Sequence, residues 1–115
     1  MKDFEKECQE RVNIIAKQLS ELAEGKKVDE EDECQSLYDY FDDVYDIEYR
    51  IDRSGEYKSV SLMIACGGPN IYVDTNDSYV KLYWGSTYVE APISYDISEE
   101  IDNIFEENYR CMINR

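Results

Sequence analysis

The spacing of apolar residues changes twice along this chain, and the two changes divide it into helical, extended and helical parts. From Asp3 to Glu24 the apolar positions are Phe4, Cys8, Val12, Ile15, Leu19 and Leu22, the three-or-four spacing of one helix face. Gly25 is a natural stop, and Lys26 and Lys27 follow where cations favour the helix dipole. A second helical stripe runs through Cys34, Leu37, Tyr38, Phe41, Val44 and Tyr45, with Asp29 as its cap and Glu30, Glu31 and Asp32 in the first turn. At Asp46 the period becomes two. Ile47, Tyr49 and Ile51 alternate with Glu48, Arg50 and Asp52, as in a half-buried strand.

The alternation continues from Ser59 to Gly85 as a meander. Val60, Leu62 and Ile64 form one strand, Ile71 and Val73 a second, and Val80, Leu82 and Trp84 a third. Cys66-Gly67-Gly68-Pro69 separates the first two, its glycines supplying positive φ and its proline a fixed one, and Thr75-Asn76-Asp77-Ser78 separates the next two. A further short strand around Tyr88 and Val89 precedes Pro92, its register open. Asp96-Ile97-Ser98-Glu99 resembles a capping box, and a closing helix follows with Ile97, Ile101, Ile104, Phe105 and Met112 inward and Glu99, Glu100, Asp102, Glu106 and Glu107 outward. The pattern predicts one α+β domain over residues 1–115. It comprises two N-terminal helices, a four- or five-stranded antiparallel meander and a C-terminal helix, with the helices packed on one sheet face.

Charge changes the picture from fold to function. The chain carries 27 acidic and 12 basic residues, a formal −15. Such an excess opposes direct binding to nucleic-acid phosphates or anionic membrane and predicts a basic protein surface as partner. It is concentrated: residues 29–52 contain eleven acids and one base, Arg50. On the second predicted helix Asp39, Asp42, Asp43 and Asp46 fall at i, i+3, i+4 and i+7, one acidic row with Glu30, Glu31 and Glu33 flanking it. Like charges so spaced cost roughly 0.2–0.5 kcal/mol per pair, so a sequence shaped for stability alone would alternate the signs. The plainer reading is a solvated face that keeps the protein soluble.

Tyrosine is the other excess, with 11 residues. Tyr72, Tyr79 and Tyr83 are out of phase with the apolar positions and belong on the opposite sheet face beside Asn70, Asp74 and Lys81. Tyr72 and Tyr83 are therefore added to the candidate partner-binding residues, unless helices cover that face too. Catalytic chemistry finds less support. There is no histidine, which removes Ser-His and Cys-His dyads and imidazole metal sites. Cys8, Cys34, Cys66 and Cys111 form no CxxC pair and are expected as buried reduced thiols. Asp74 to Ser78 lacks the later glycine and final glutamate of a calcium loop. No catalytic, metal or cofactor-binding residue is assigned, and no enzyme activity is expected. The N-terminus has no signal-peptide core and no segment reaches membrane-spanning length, so a cytoplasmic protein is expected.

The segments IACGGPNIYVDT and VKLYWG, followed by a short apolar stretch and a tyrosine-rich acidic helix, resemble a group of small acidic proteins carried by phages and mobile elements of Gram-positive bacteria. Some proteins of that kind are anti-CRISPR proteins that block a Cas nuclease. The resemblance covers Val60 to Met112 and is a fold signature that identifies no functional residue. What it implies is a counter-defence setting in a bacterial host. With the charge argument it leads to a stoichiometric inhibitor, monomer or homodimer, whose acidic surface occupies the basic nucleic-acid groove of a Cas effector. An antirestriction DNA mimic and a self-associating interaction module are the alternatives.

Overall fold

The computed structural model describes residues 2–25 and 36–114. Helix α1 (Lys2–Ala23) leads through α2 (Leu37–Tyr40) into strands β1 (Asp46–Ile51), β2 (Tyr57–Ala65), β3 (Asn70–Asp74), β4 (Tyr79–Trp84) and β5 (Thr87–Pro92), and α3 (Tyr95–Ile113) closes the chain. The strands pair in sequence order into one antiparallel sheet. The uncertain fifth strand is real, and its register sets Leu82 opposite Val89 and Val80 opposite Ala91. Two register shifts, at Arg50/Ile51 and at Met63/Ala65, bend β2 against its neighbours.

Period-two alternation sends Val60, Leu62, Ile71, Val73, Val80, Leu82, Val89 and Ala91 to one face, where all are buried. Against that face α1 lays Cys8, Val12, Ile15, Leu19 and Leu22, and α3 lays Ile97, Ile101, Phe105 and Tyr109. Helix α1 lies over β4 and β5, α3 over β2. The resulting core is mainly aliphatic, with Phe41 and Phe105 among it, and each fully buried Val, Leu or Ile contributes about 1.5–3 kcal/mol. Phe41 meets Phe105 edge-on at 6.0 Å, joining α2 to α3.

A polar strut ties α3 to the sheet. Tyr57 Oη and Thr75 Oγ1 both donate to Asp102 Oδ1 at 2.7 Å, while Thr75 Oγ1 accepts the Val60 N–H. Burial, then the Asp102 carboxylate, pushes the Tyr57 hydroxyl pKa far above its usual value. Rings of Tyr49, Tyr57 and Tyr109 cluster beside it. Asp102, expected outward, therefore faces the sheet.

Other expectations are corrected. The second helix is a single turn capped by Ser36, whose side chain accepts the Asp39 N–H. Its continuation is bent into turns by the poor helix formers Asp42 and Asp43, and the chain is extended by Asp46. Among the described residues of the stripe Leu37 and Phe41 are buried, and Tyr38 and Tyr45 are exposed; Asp29 and Cys34 lie outside the described residues. The cap of α3 is Ser94, which accepts the Ile97 N–H, so the helix starts before the Asp96 box. Met112 is exposed, because α3 runs on past the part of the sheet it covers and Tyr109 is its last buried residue. Cys8 is buried as expected, but Cys66 in the β2–β3 turn and Cys111 on the outer side of α3 are exposed thiols.

Candidate functional site

Because Asp46 opens β1 and helix α2 ends at Tyr40, the four aspartates do not form a helical row. All four are nonetheless exposed. Asp43 lines a groove against Arg11, Ile14 and Gln18 of α1, whereas Asp42 lines another with Glu107 and Asn108 of α3. Asp46 belongs to the far face of the sheet, in register with Met63. Glu30, Glu31 and Glu33 lie outside the described residues.

The row sought on the second helix occurs instead on α3. Asp96, Glu99, Glu100, Asn103 and Glu107 fall at i, i+3, i+4, i+7 and i+11, so they share one stripe, and all are exposed. At 1.5 Å per residue the stripe is about 16 Å long. Its N-terminal end shares a groove with Glu24 at the foot of α1. At its other end Glu107 borders a groove whose opposite side includes Asp42. Two acidic stretches far apart in sequence thus form one band. Among the described residues the ion pair on α3 is Arg110–Glu106 at 2.7 Å, off that stripe. Sequence spacing shows the stripe once the helix start is placed at Ser94; its junction with Asp42 depends on tertiary packing.

The second surface is the sheet face opposite the core. Among the described residues no helix packs on it. Met63, Tyr72, Lys81 and Glu90 form one cross-strand row, and Asn70, Tyr83 and Tyr88 the next. The expectation that Tyr72, Tyr79 and Tyr83 stand on this side with Asn70, Asp74 and Lys81 is met. Tyr72 and Tyr83 contact edge-on at 5.8 Å, and Tyr83 and Tyr88 lie 4.7 Å apart, tilted 46°. Tyr88 extends the cluster and was not among the sequence candidates, for want of the β5 register. Its hydroxyl donates to Glu90 Oε1 at 2.5 Å; burial, then this carboxylate, raises its pKa above the usual value.

At the other end of the same face sits an ion cluster. Asp74, 4% exposed, accepts Arg50 through both guanidinium nitrogens at 2.8 and 2.7 Å and the Asn76 N–H at 2.9 Å. Lys81 Nζ lies 3.5 Å from Asp74 and 2.6 Å from Asp77. For Asp74, burial is the largest single influence and acts upward. The Arg50 hydrogen bonds, the Asn76 N–H and the charges of Arg50 and Lys81 together outweigh it, and its pKa lies below the ordinary carboxylate value. Asp74 and Asp77, weighed as a cation loop, are thus neutralised by side chains. No group of three or more acidic, Cys or His side chains that could hold a metal ion occurs among the described residues, and no described helix is long and apolar enough to cross a membrane.

Comparison of the chain with protein-family models, with curated proteins and with solved structures finds no significant match in any of the three.

Proposed function

We propose that this protein is a stoichiometric, non-enzymatic inhibitor whose acidic band occupies a basic nucleic-acid-binding groove on a bacterial defence nuclease. A CRISPR effector is the first class of target and a restriction–modification enzyme, using the same surface, the alternative. The observation that carries the reading is that Asp42 and Glu107 border one groove, which places the acidic segment ahead of β1 and the α3 stripe on one side of the molecule. Four carboxylates along about 16 Å of rigid helix offer a basic groove a row of negative charge near the spacing of a single phosphate strand, though sparser than a duplex. Individual exposed pairs are worth at most about 1 kcal/mol, so recognition depends on many of them acting together and on electrostatic steering. The setting is the cytoplasm of an infected or element-carrying bacterium, with no direct contact to nucleic acid or membrane.

The test is a pull-down against a panel of guide-loaded Cas effectors and restriction enzymes, with and without excess target DNA and at raised salt, beside a cleavage assay. Binding to one enzyme that DNA competes away and salt weakens is the expected result. A variant with Asp42, Glu99, Glu100 and Glu107 replaced by lysine should lose inhibition while remaining folded; undiminished inhibition by that variant would refute the role of the band. A self-associating module is the second reading, favoured by the 43% and 41% exposure of Tyr83 and Tyr88, and a mass that rises with concentration in solution would support it.

A further inference from the structure

The open sheet face differs from the acidic band in kind, and the difference suggests what it binds. Its two cations are already committed, Arg50 to Asp74 and Lys81 to Asp74 and Asp77. Its remaining carboxylates, Asp46, Glu48 and Glu90, enter no ion pair among the described residues. Along this face runs an open groove of about 460 Å³ bordered by Glu48, Tyr72 and Tyr83, with the paired Arg50, Lys81 and Asp74 in its lining and the small Ser61 side chain leaving room. Tyr83 borders it from β4, the Tyr88 ring lies against Tyr83 just beyond it on β5, and the Glu90 carboxylate is fixed beside the Tyr88 hydroxyl.

We propose that this face is a docking site for an extended, arginine-bearing segment of a protein partner, with guanidinium groups stacked on Tyr83 and Tyr88 and paired with Glu90 and Glu48. Guanidinium is the cation that fits. It is planar, stacks on aromatic faces and pairs with carboxylate through two parallel hydrogen bonds, whereas an ammonium is a compact, strongly hydrated point charge. Tyrosine contributes large rigid contact area at small entropic cost. Strand spacing sets the length of the ligand. Four interstrand steps of about 4.8 Å separate β1 from β5, about 19 Å, which an extended chain rising about 3.3 Å per residue crosses in about six residues. Arginines at alternate positions of such a chain all face the sheet. Bases of a single-stranded nucleic acid would also stack on these rings, but its phosphates would lie against Asp46, Glu48 and Glu90 with both nearby cations already paired.

The inference does not depend on the acidic-band reading, and its test needs no nuclease. The full chain, labelled with nitrogen-15, is titrated with an eight-residue peptide alternating arginine and glycine, and with counterparts in which lysine or the neutral isostere citrulline replaces arginine. Amide shifts should map to Tyr72, Tyr83, Tyr88 and Glu90, with the lysine peptide several-fold weaker and the citrulline peptide inactive. Tyr83→Ala should weaken the arginine peptide about tenfold and Tyr83→Phe, which keeps the ring, much less. Should Tyr83→Ala fail to fold, Glu90→Gln, which keeps an acceptor for the Tyr88 hydroxyl, should weaken it about threefold. Absence of binding, equal affinity for the lysine peptide, or shifts confined to α3 would overturn the proposal. So would the same Tyr83 and Tyr88 shifts produced by an eight-nucleotide oligothymidylate or by raising the protein concentration alone. Nuclease inhibition without arginine binding would remove this inference and leave the inhibitor reading standing; the reverse outcome would do the opposite.

Discussion

Replacing Asp74 by asparagine tests whether the open face is held flat by its ion cluster. The carboxylate is 4% exposed and receives two charge-assisted hydrogen bonds from Arg50 and one from the Asn76 N–H. Asparagine keeps the volume but turns an NH2 group toward donors, so at least one Arg50 bond is lost and the charge of Lys81 is left without its second partner. Hydrogen bonds to charged groups are worth about 1.5–3 kcal/mol each, and the Arg50 side chain, 42% exposed, regains water on one side. The net cost should be about 2–3 kcal/mol at pH 7, which for a chain of 115 residues lowers the midpoint of thermal unfolding by about 10 °C. Urea unfolding followed by circular dichroism measures it, with Arg50→Gln and the double variant closing a cycle whose coupling should exceed 1 kcal/mol, about half of the single effect.

The same variant fixes a pH dependence. The Asp74 pKa in the folded protein lies below its unfolded value, so in the window between them the unfolded chain binds the extra proton and stability rises with pH. The contribution is fully present above the ordinary carboxylate value of about 4 and is lost as pH falls toward the lower, folded value. Asparagine does not titrate, so the difference between wild type and Asp74→Asn should be constant near neutrality and shrink below about pH 4. A neutral-pH difference under about 0.5 kcal/mol, or one that persists unchanged to pH 2, would refute the assignment of Asp74 as the anchor of that face.

Two further outcomes follow from local geometry. Tyr57→Phe removes one of the two hydroxyls donated to Asp102 and should cost about 1 kcal/mol in urea unfolding, while Asp102→Ala, which strands Tyr57 and leaves Thr75 only the Val60 carbonyl, should cost about 2 kcal/mol. Asp52 closes the β1–β2 turn by accepting the Ser54 hydroxyl and the Ser54 and Glu56 amides, and the Ser54 hydroxyl is the largest influence holding its pKa to about 2. Ser54→Ala should raise that value toward 3.8, read by carbon-13 titration of the side-chain carboxyl.

What the sequence disclosed follows the strength of its periodicities. Alternation through Val60, Leu62, Ile71, Val73, Val80 and Leu82 carries both the strands and the facing of Tyr72 and Tyr83, because a period of two leaves no freedom once one face is apolar. The 22-residue α1 is equally plain from its stripe. The second helix misled for a physical reason: Leu37 to Tyr45 has helical spacing, but four residues close one turn, and Asp42, Asp43 and the strand-forming Ile47 and Tyr49 favour leaving it. Asp102 showed no sign of its inward role, since a carboxylate beside Asn103 on a helix reads as solvent-facing until Tyr57 and Thr75 are brought to it from sequence positions 45 and 27 residues away. Pairing of Arg50 with Asp74 was hidden in the same way by a separation of 24 residues. The acidic band joins Asp42 to Glu107, which only the packing of α2 on α3 brings together.

The charges of that band separate recognition from stability, and two lysine substitutions on α3 show how. Asp96 lies in the first turn, just after the Ser94 cap, where a negative side chain offsets the positive end of the helix dipole. Glu107 lies beyond reach of either helix end and shares its groove with Asp42, so its acidic neighbour disfavours its charge. Identical charge changes should therefore act oppositely on folding: Asp96→Lys should destabilise by about 0.5–1 kcal/mol, and Glu107→Lys, placing a cation beside Asp42, should stabilise by about 0.3–0.5 kcal/mol. Each removes the same negative charge from the band, so each should weaken binding to a basic partner and lower its salt sensitivity by a similar amount. Urea unfolding in 20 and 500 mM salt separates the two effects, because both stability changes should fade at high salt. Stability shifts of the same sign in both variants would show that overall repulsion at −15, rather than position along α3, governs the cost of each carboxylate.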